Sequence, residues 1–237
     1  MQTPRVVKSN HLVEASYKLS LTEQRLILYA VAHARDTETG LSPDKPLRIS
    51  AREFAEKFPD INVQNVYRDL ADGVDRLYER EVRFRHIDEA TGLPALTRSR
   101  WISQASYIDD AGTVALIFAP AVIPYLTRLE SRFTTYRLEE VSRMTSTHAI
   151  RLYELLMQYK STGWREFSIA EFRELMGIER HEYALTNNLR VRVLNTALKQ
   201  IRELTEYNVE AHDLKEGRKV IGFRIFFGLK VQQELEL

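Results

Sequence analysis

A chain of 237 residues with 34 Lys and Arg against 33 Asp and Glu has a formal net charge of +1, so any nucleic-acid footprint must be local. The absence of cysteine excludes disulfides, thiolate nucleophiles and Cys-ligated zinc or iron–sulfur sites, and fits a reducing compartment. The length suits one large domain or two small ones. No apolar run reaches the ~18 residues of a membrane span, and the first twenty residues lack the apolar stretch of a signal peptide. A cytosolic protein with no membrane partner is therefore the expectation.

The first predicted helix covers 20–35, with Ser20 or Thr22 as its cap and Leu26, Tyr29 and Ala30 at helical spacing beside Leu21 and Val31. A short extended piece follows at 46–50, then a short helix at 51–58 stopped by Pro59. A longer helix covers 62–80, its buried stripe being Val66, Leu70, Val74 and Leu77. The period then changes to two: 80–87 alternates Val82 and Phe84 with Arg83 and Arg85, and 96–109 and 113–120 read as further strands. Turns fall at Gly92-Leu93-Pro94 and Asp110-Ala111-Gly112.

After a connector at 121–144 the same order returns. A helix covers 146–161, with Ser146 as N-cap and Ile150, Tyr153, Leu156 and Met157 inward. A strand at 165–169, a short helix at 170–178 ended by Gly177, a long helix at 187–204 and a two-stranded hairpin at 207–230 complete it. Helix, short strand, short helix, long helix and hairpin is the order of a winged helix, a helix-turn-helix with a β-hairpin wing. The segments "LRISAREFAEKF" and "EFSIAEFRELMG" resemble one duplicated unit. The expected fold is α+β, two tandem winged-helix domains at 1–128 and 129–237. An unrelated α+β domain with its helices in this order is the alternative.

The segment "VVKSNHLVEASYKLSLTEQRLILYAVA" (6–32), with its "KSN", "LVEA" and L-x-x-x-EQR-L-I-L elements, resembles the N-terminal signature of bacterial plasmid replication initiators. "THAIRLYELLMQYKSTGWREFSIAEFRELMGI" (147–178) resembles the second-domain core of the same family, and "ALKQI" lies at the expected place in the last long helix. The resemblance runs from Val6 to Leu229. It implies tandem winged helices that bind origin repeats called iterons, help open the origin and recruit host replication proteins. It implies further that dimers of some members repress their own gene. The implied partners are double-stranded DNA at the origin repeats and at the chain's own promoter, a second copy of the chain, and the host replication initiator and helicase. The implied location is the bacterial cytoplasm, on plasmid or nucleoid DNA.

The long helix at 187–204 carries Arg190, Arg192, Lys199 and Arg202 against the single carboxylate of Glu203. With Leu194, Leu198 and Ile201 inward, supported by Val191 and Ala197, regular geometry aligns Asn188, Arg192, Asn195 and Lys199 on the opposite face, with Arg190 to the side. Arg and Lys match guanine edges in the major groove and Asn matches adenine; a solvated basic face is the plainer reading. Val191 interrupts the arginine run that the resemblance implies for this helix.

The matching first-domain helix at 63–80 sets Arg68, Arg76 and Arg80 against Asp69, Asp72, Asp75 and Glu79, so the second domain should dominate base readout. Asn65, Arg68, Arg98 and Arg100 suit auxiliary phosphate contacts. Arg83 and Arg85 suit phosphate contacts too, and read equally as a polar sheet face or as part of a dimer edge, in a hairpin with Val82, Phe84 and Ile87 on one face. Lys215, Arg218 and Lys219 cluster at the tip of the second hairpin, either as phosphate contacts or as a solvated turn.

Enzyme readings find little support. The histidines at 11, 33, 86, 148, 181 and 212 form no His-x-His pair. Gly217 and Gly222 have P-loop spacing, but Phe223 and Arg224 follow where Lys and Ser or Thr belong. The expectation is a non-enzymatic, cofactor-free, sequence-specific DNA-binding plasmid replication initiator. A winged-helix repressor without initiator activity is the alternative, and a protein-interaction module that has lost DNA binding a third class.

Overall fold

The computed structural model describes residues 4–88, 90–127 and 133–230. Strand β1 (Arg5–Ser9) runs into the single turn α1 (Asn10–Val13). Helix α2 (Leu21–Thr37) starts at Ser20, whose hydroxyl accepts from the Glu23 amide while the Glu23 carboxylate accepts from the Ser20 amide, a reciprocal cap. Strand β2 (Leu47–Ser50), α3 (Ala51–Lys57), a 3₁₀ turn (Val63–Asn65) and α4 (Val66–Glu79) follow. The stripe Val66, Leu70, Val74 and Leu77 is buried as its spacing dictates.

Strands β3 (Glu81–Ile87) and β4 (Pro94–Arg100) form a two-stranded hairpin, whereas β5 (Ile102–Ile108) pairs with β6 (Thr113–Phe118), which also pairs with β2. The expected single strand at 96–109 is thus two strands in different sheets. The chain changes sheets at Trp101, which is fully buried with its ring edge-on to Tyr17 at 5.0 Å. A second correction concerns Ile87. Strand parity places it with Arg83 and Arg85 rather than with Val82 and Phe84, and it is 59% exposed.

The connector at 121–144 holds structure of its own: α5 (Pro124–Thr127), β7 (Phe133–Arg137) and α6 (Leu138–Ser142). Strand β7 pairs antiparallel with β1, from Arg5 opposite Arg137 to Ser9 opposite Phe133. The expected boundary between 128 and 129 lies outside the described residues. The second half runs α7 (Thr147–Met157), capped by Ser146, then β8 (Trp164–Ser168) and α8 (Ile169–Leu175), capped by Ser168. The last helix, α9, is continuous over 186–204. It comprises Thr186–Leu189, a π-helical turn Arg190–Leu194 and Asn195–Leu204. The wing is β9 (Tyr207–Glu216) and β10 (Lys219–Leu229), in a sheet of order β8-β10-β9.

One apolar core runs through both halves, and a buried polar joint links them. Glu154 on α7, fully buried, accepts from Lys8 of β1 at 2.6 Å, from the Tyr136 hydroxyl of β7 at 2.7 Å and from the Tyr17 hydroxyl at 3.2 Å. Arg151, one turn earlier, donates to the Tyr17 oxygen at 2.8 Å and to the carbonyls of Ala15 and Leu175 at 2.7 Å each. Burial works against ionisation of Glu154, but Lys8, Arg151 and its hydrogen bonds outweigh it and hold the carboxyl below its ordinary range. Lys8 is lowered, because burial outweighs the pull of Glu154.

Candidate nucleic-acid interface

Helices α8 and α9 form the helix-turn-helix of the second half, and a guanidinium shapes the turn between them. Arg173 donates to the carbonyls of Glu179 at 2.7 Å, Arg180 at 3.2 Å and Tyr183 at 3.1 Å, and also to that of Glu182. Its planar fork gathers the carbonyls of an irregular turn, of which that of Glu179 also accepts from the Glu182 amide at 3.0 Å. Gly177 ends α8 at φ +66°, and its Cα passes so close to the backbone of Tyr17 that an added Cβ would lie 2.2 Å from that carbonyl oxygen.

The π turn sets what α9 presents. The Asn195 amide donates to the Arg190 carbonyl, five residues back, so this turn holds one residue more than a regular one. Leu189, Val193, Leu194, Ala197, Leu198 and Ile201 face the core. Val191, expected inward, is instead 50% exposed, because the extra residue rotates the first turn and lets Leu189 and Val193 fill the interior. Arg190, expected to reach bases from the side of the helix, is half-buried and ion-paired with Asp213 of β9, with a further bond to the Ala211 carbonyl at 3.4 Å. It fastens the start of α9 to the wing.

Arg192, Asn195 and Lys199 are exposed, and Asn188 is half-buried. Among the described residues no side-chain hydrogen bond or ion pair holds Asn188, Arg192 or Asn195. Lys199 has only a 3.9 Å approach to Glu203, with both groups largely exposed. The wing turns on Gly217 and Arg218, Gly217 at φ +58°, with Lys219 opposite Glu216 and Lys215 opposite Val220. Lys215, Arg218 and Lys219 are all exposed at this tip. Lys219, Arg180, Thr186 and Arg83 line one open cleft of about 1130 Å³ between the tip end of β10, α8, the start of α9 and the first hairpin.

The first half offers less free charge. Arg98 is bound to Glu81, which also lies 3.5 Å from Arg83. Arg100 donates to Glu79 at 2.8 Å and to the Tyr78 carbonyl at 2.6 Å, with its guanidinium over the Tyr78 ring. Arg76 of α4 and Arg80, which caps its C-terminus, converge on the buried Glu23 of α2, at 3.2 and 2.9 Å. Burial opposes ionisation of Glu23, but the Arg80 bond and the Ser20 cap hold its pKa below the ordinary value. Asn65 and Arg68 are exposed at the start of α4, where Arg68 approaches Asp69 at 3.7 Å. Asn187 and Thr196 on α9, and Arg180 in the turn before it, are also exposed, although residue type alone did not single them out. Their signal was position within the helix-turn-helix rather than residue type. Among the described residues no cluster of three or more potential ligands is placed to hold a metal ion, and no helix is long and apolar enough to cross a membrane.

Comparison with known proteins identifies this arrangement. The family model described as Initiator Replication protein, WH1, matches residues 5–157, and that described as Initiator Rep protein, WH2, matches residues 168–227. An uncharacterized 27.6 kDa protein of Escherichia coli is 26% identical over 209 residues, covering 85% of this chain and 86% of the relative. The PI protein of Escherichia coli is 24% identical over 250 residues, covering 92% and 80%. The crystal structure of Pi initiator protein in complex with iteron DNA superimposes with a TM-score of 0.78 at 22% identity, over 98% of this chain and 99% of that one. The chain belongs to the initiator replication protein family and carries that family's two winged-helix domains, WH1 followed by WH2.

Proposed function

We propose that this protein initiates plasmid replication by binding repeated duplex sequences, iterons, with α9 in the major groove and the β9–β10 tip on flanking phosphate. The observation that carries the reading is the exposed, carboxylate-free face of Arg192 and Asn195 on the second helix of a helix-turn-helix, beside a wing tip bearing three cations. The shared fold with Pi initiator protein, solved on iteron DNA, supports it. Asn65 and Arg68 add contacts from the first half. Arg98 and Arg100, bound to Glu81 and Glu79, would have to exchange those carboxylates for phosphate.

The work is done by binding energy rather than bond chemistry, in the bacterial cytoplasm. Molecules on adjacent repeats bend and strain a nearby AT-rich segment, and protein contacts bring the host initiator and helicase. Self-association uses the outer edge of β4, which among the described residues pairs with β3 alone, and a dimer so formed represses the chain's own promoter.

Footprinting on supercoiled DNA flanking the protein's own gene, with permanganate probing of unpaired thymine, tests the reading. Protection of a ladder of direct repeats beside a reactive AT-rich segment is the expected result. Protection of one inverted repeat without opening would make the protein a repressor. Lack of any salt-dependent duplex affinity would make it a protein-interaction module.

A further inference from the structure

We propose that Val191 is a specificity-determining residue that packs against the C5-methyl group of a thymine in the major groove, beside the base contacted by Arg192. The inference rests on the reading of α9 as the base-reading helix and names one chemical group that it reads.

Two placements on the helix carry it. In a regular helix Val191, three residues before Leu194 and seven before Leu198, would lie on their side and turn its methyl groups into the core. The π turn at Arg190–Leu194 prevents this: Leu189, Val193 and Leu194 fill the interior with no exposed surface, and Val191 stands half in solvent. Arg190, beside it, is ion-paired with Asp213 on the wing and so already has a partner. Single π turns within α-helices are rare and frequently lie at functional sites. Here the result is a branched apolar side chain on a polar face, with Asn187, Arg192, Asn195 and Thr196 exposed around it.

An isolated exposed valine needs no partner on a protein surface. Its position at the N-terminal half of the second helix of a helix-turn-helix is what selects one, because that half approaches the base edges. Most of what the major groove presents is hydrogen-bonding edge, and the thymine methyl is the apolar group that small side chains meet there. Arginine or lysine at position 191 would prefer guanine; valine favours a pyrimidine bearing a methyl group.

The test uses the tightest duplex that the full-length protein selects from a random 24-bp library, with each thymine replaced in turn by deoxyuridine. This removes one methyl group and leaves every hydrogen-bonding atom. The wild type is expected to lose about fourfold in affinity at one thymine, the value of one buried methyl group. Val191→Ala is expected to bind the parent duplex about as weakly as the wild type binds that substituted duplex, and to be indifferent to the substitution. Val191→Thr, which keeps one methyl in place, should remain sensitive. Thermal melting of each variant confirms the fold. If the wild type is indifferent to deoxyuridine everywhere while Arg192→Ala still loses specificity, the Val191 assignment is overturned and the base-reading helix stands. Equal sensitivity in wild type and Val191→Ala also overturns the assignment. If no duplex is selected, or Arg192→Ala binds the selected duplex as the wild type does, the reading of α9 falls and Val191 with it.

Discussion

At the scale of single residues, charge that looks alike in sequence divides by what already holds it. Arg190 and Arg192 are two positions apart, yet one is ion-paired with Asp213 and the other is exposed without a partner among the described residues. Replacing Arg192 by Ala should weaken specific duplex binding by about 1–3 kcal/mol and random duplex binding much less, as titration of both DNAs would measure. Equal losses would mark a phosphate contact. Arg190→Ala should lower affinity for both DNAs in proportion, because it releases the wing rather than a base contact. The "EQR" run of the N-terminal signature divides the same way. Glu23, Gln24 and Arg25 are all buried, Arg25 reaching Asp60 at 2.7 Å and the Met144 carbonyl at 3.0 Å. This part of the signature is therefore a structural joint, and no DNA contact is expected from it.

At the scale of elements, local signals were legible and non-local ones were not. Ser20, Ser146 and Gly177 marked helix ends because caps and left-handed turns act within a few residues. The inward stripe of α9 from Leu194 to Ile201 followed from spacing, but the π turn did not, since packing of Leu189 and the tie to Asp213 set it. Strand β7 was read as a connector because its partner, β1, lies more than a hundred residues earlier. The pairing of Arg98 and Arg100 with Glu81 and Glu79 was likewise invisible before the hairpin closed. For the wing, neutralising Lys215, Arg218 and Lys219 together should reduce the slope of log affinity against log salt by about 0.9 for each phosphate they had neutralised; an unchanged slope returns the tip to solvent. For the helix-turn-helix, Gly177→Ala should lower the melting temperature sharply, since it combines a left-handed backbone with a backbone clash and costs at least about 1–3 kcal/mol.

At the scale of the whole molecule, the joint around Glu154 sets how stability responds to acid. Its carboxyl titrates lower when folded than when unfolded, so the unfolded chain binds the proton more readily. The stabilisation is complete above the ordinary carboxylate range and is lost as pH falls through the lowered folded value. The Glu154 contribution, read by denaturant unfolding of wild type against Glu154→Gln, should therefore be nearly level through the neutral range and fall below it. At neutral pH Glu154→Gln should cost about 3–5 kcal/mol, because Lys8 and Arg151 remain buried without their anion. A variant as stable as the wild type would show that the joint contributes no net stability.

The pairing of β1 with β7, and of Lys8 with Glu154 across 146 positions, also has a temporal consequence. During synthesis the first strand leaves the ribosome long before its partners exist. At about 5–20 residues per second it waits roughly seven to thirty seconds, exposing an unpaired edge and a lysine with no carboxylate. The first strand therefore stays unpaired until β7 has emerged, and Lys8 finds its carboxylate only when α7 has been made. Release of nascent chains stalled before and after residue 157, followed by brief proteolysis, would show protection of the first strand only in the longer chain.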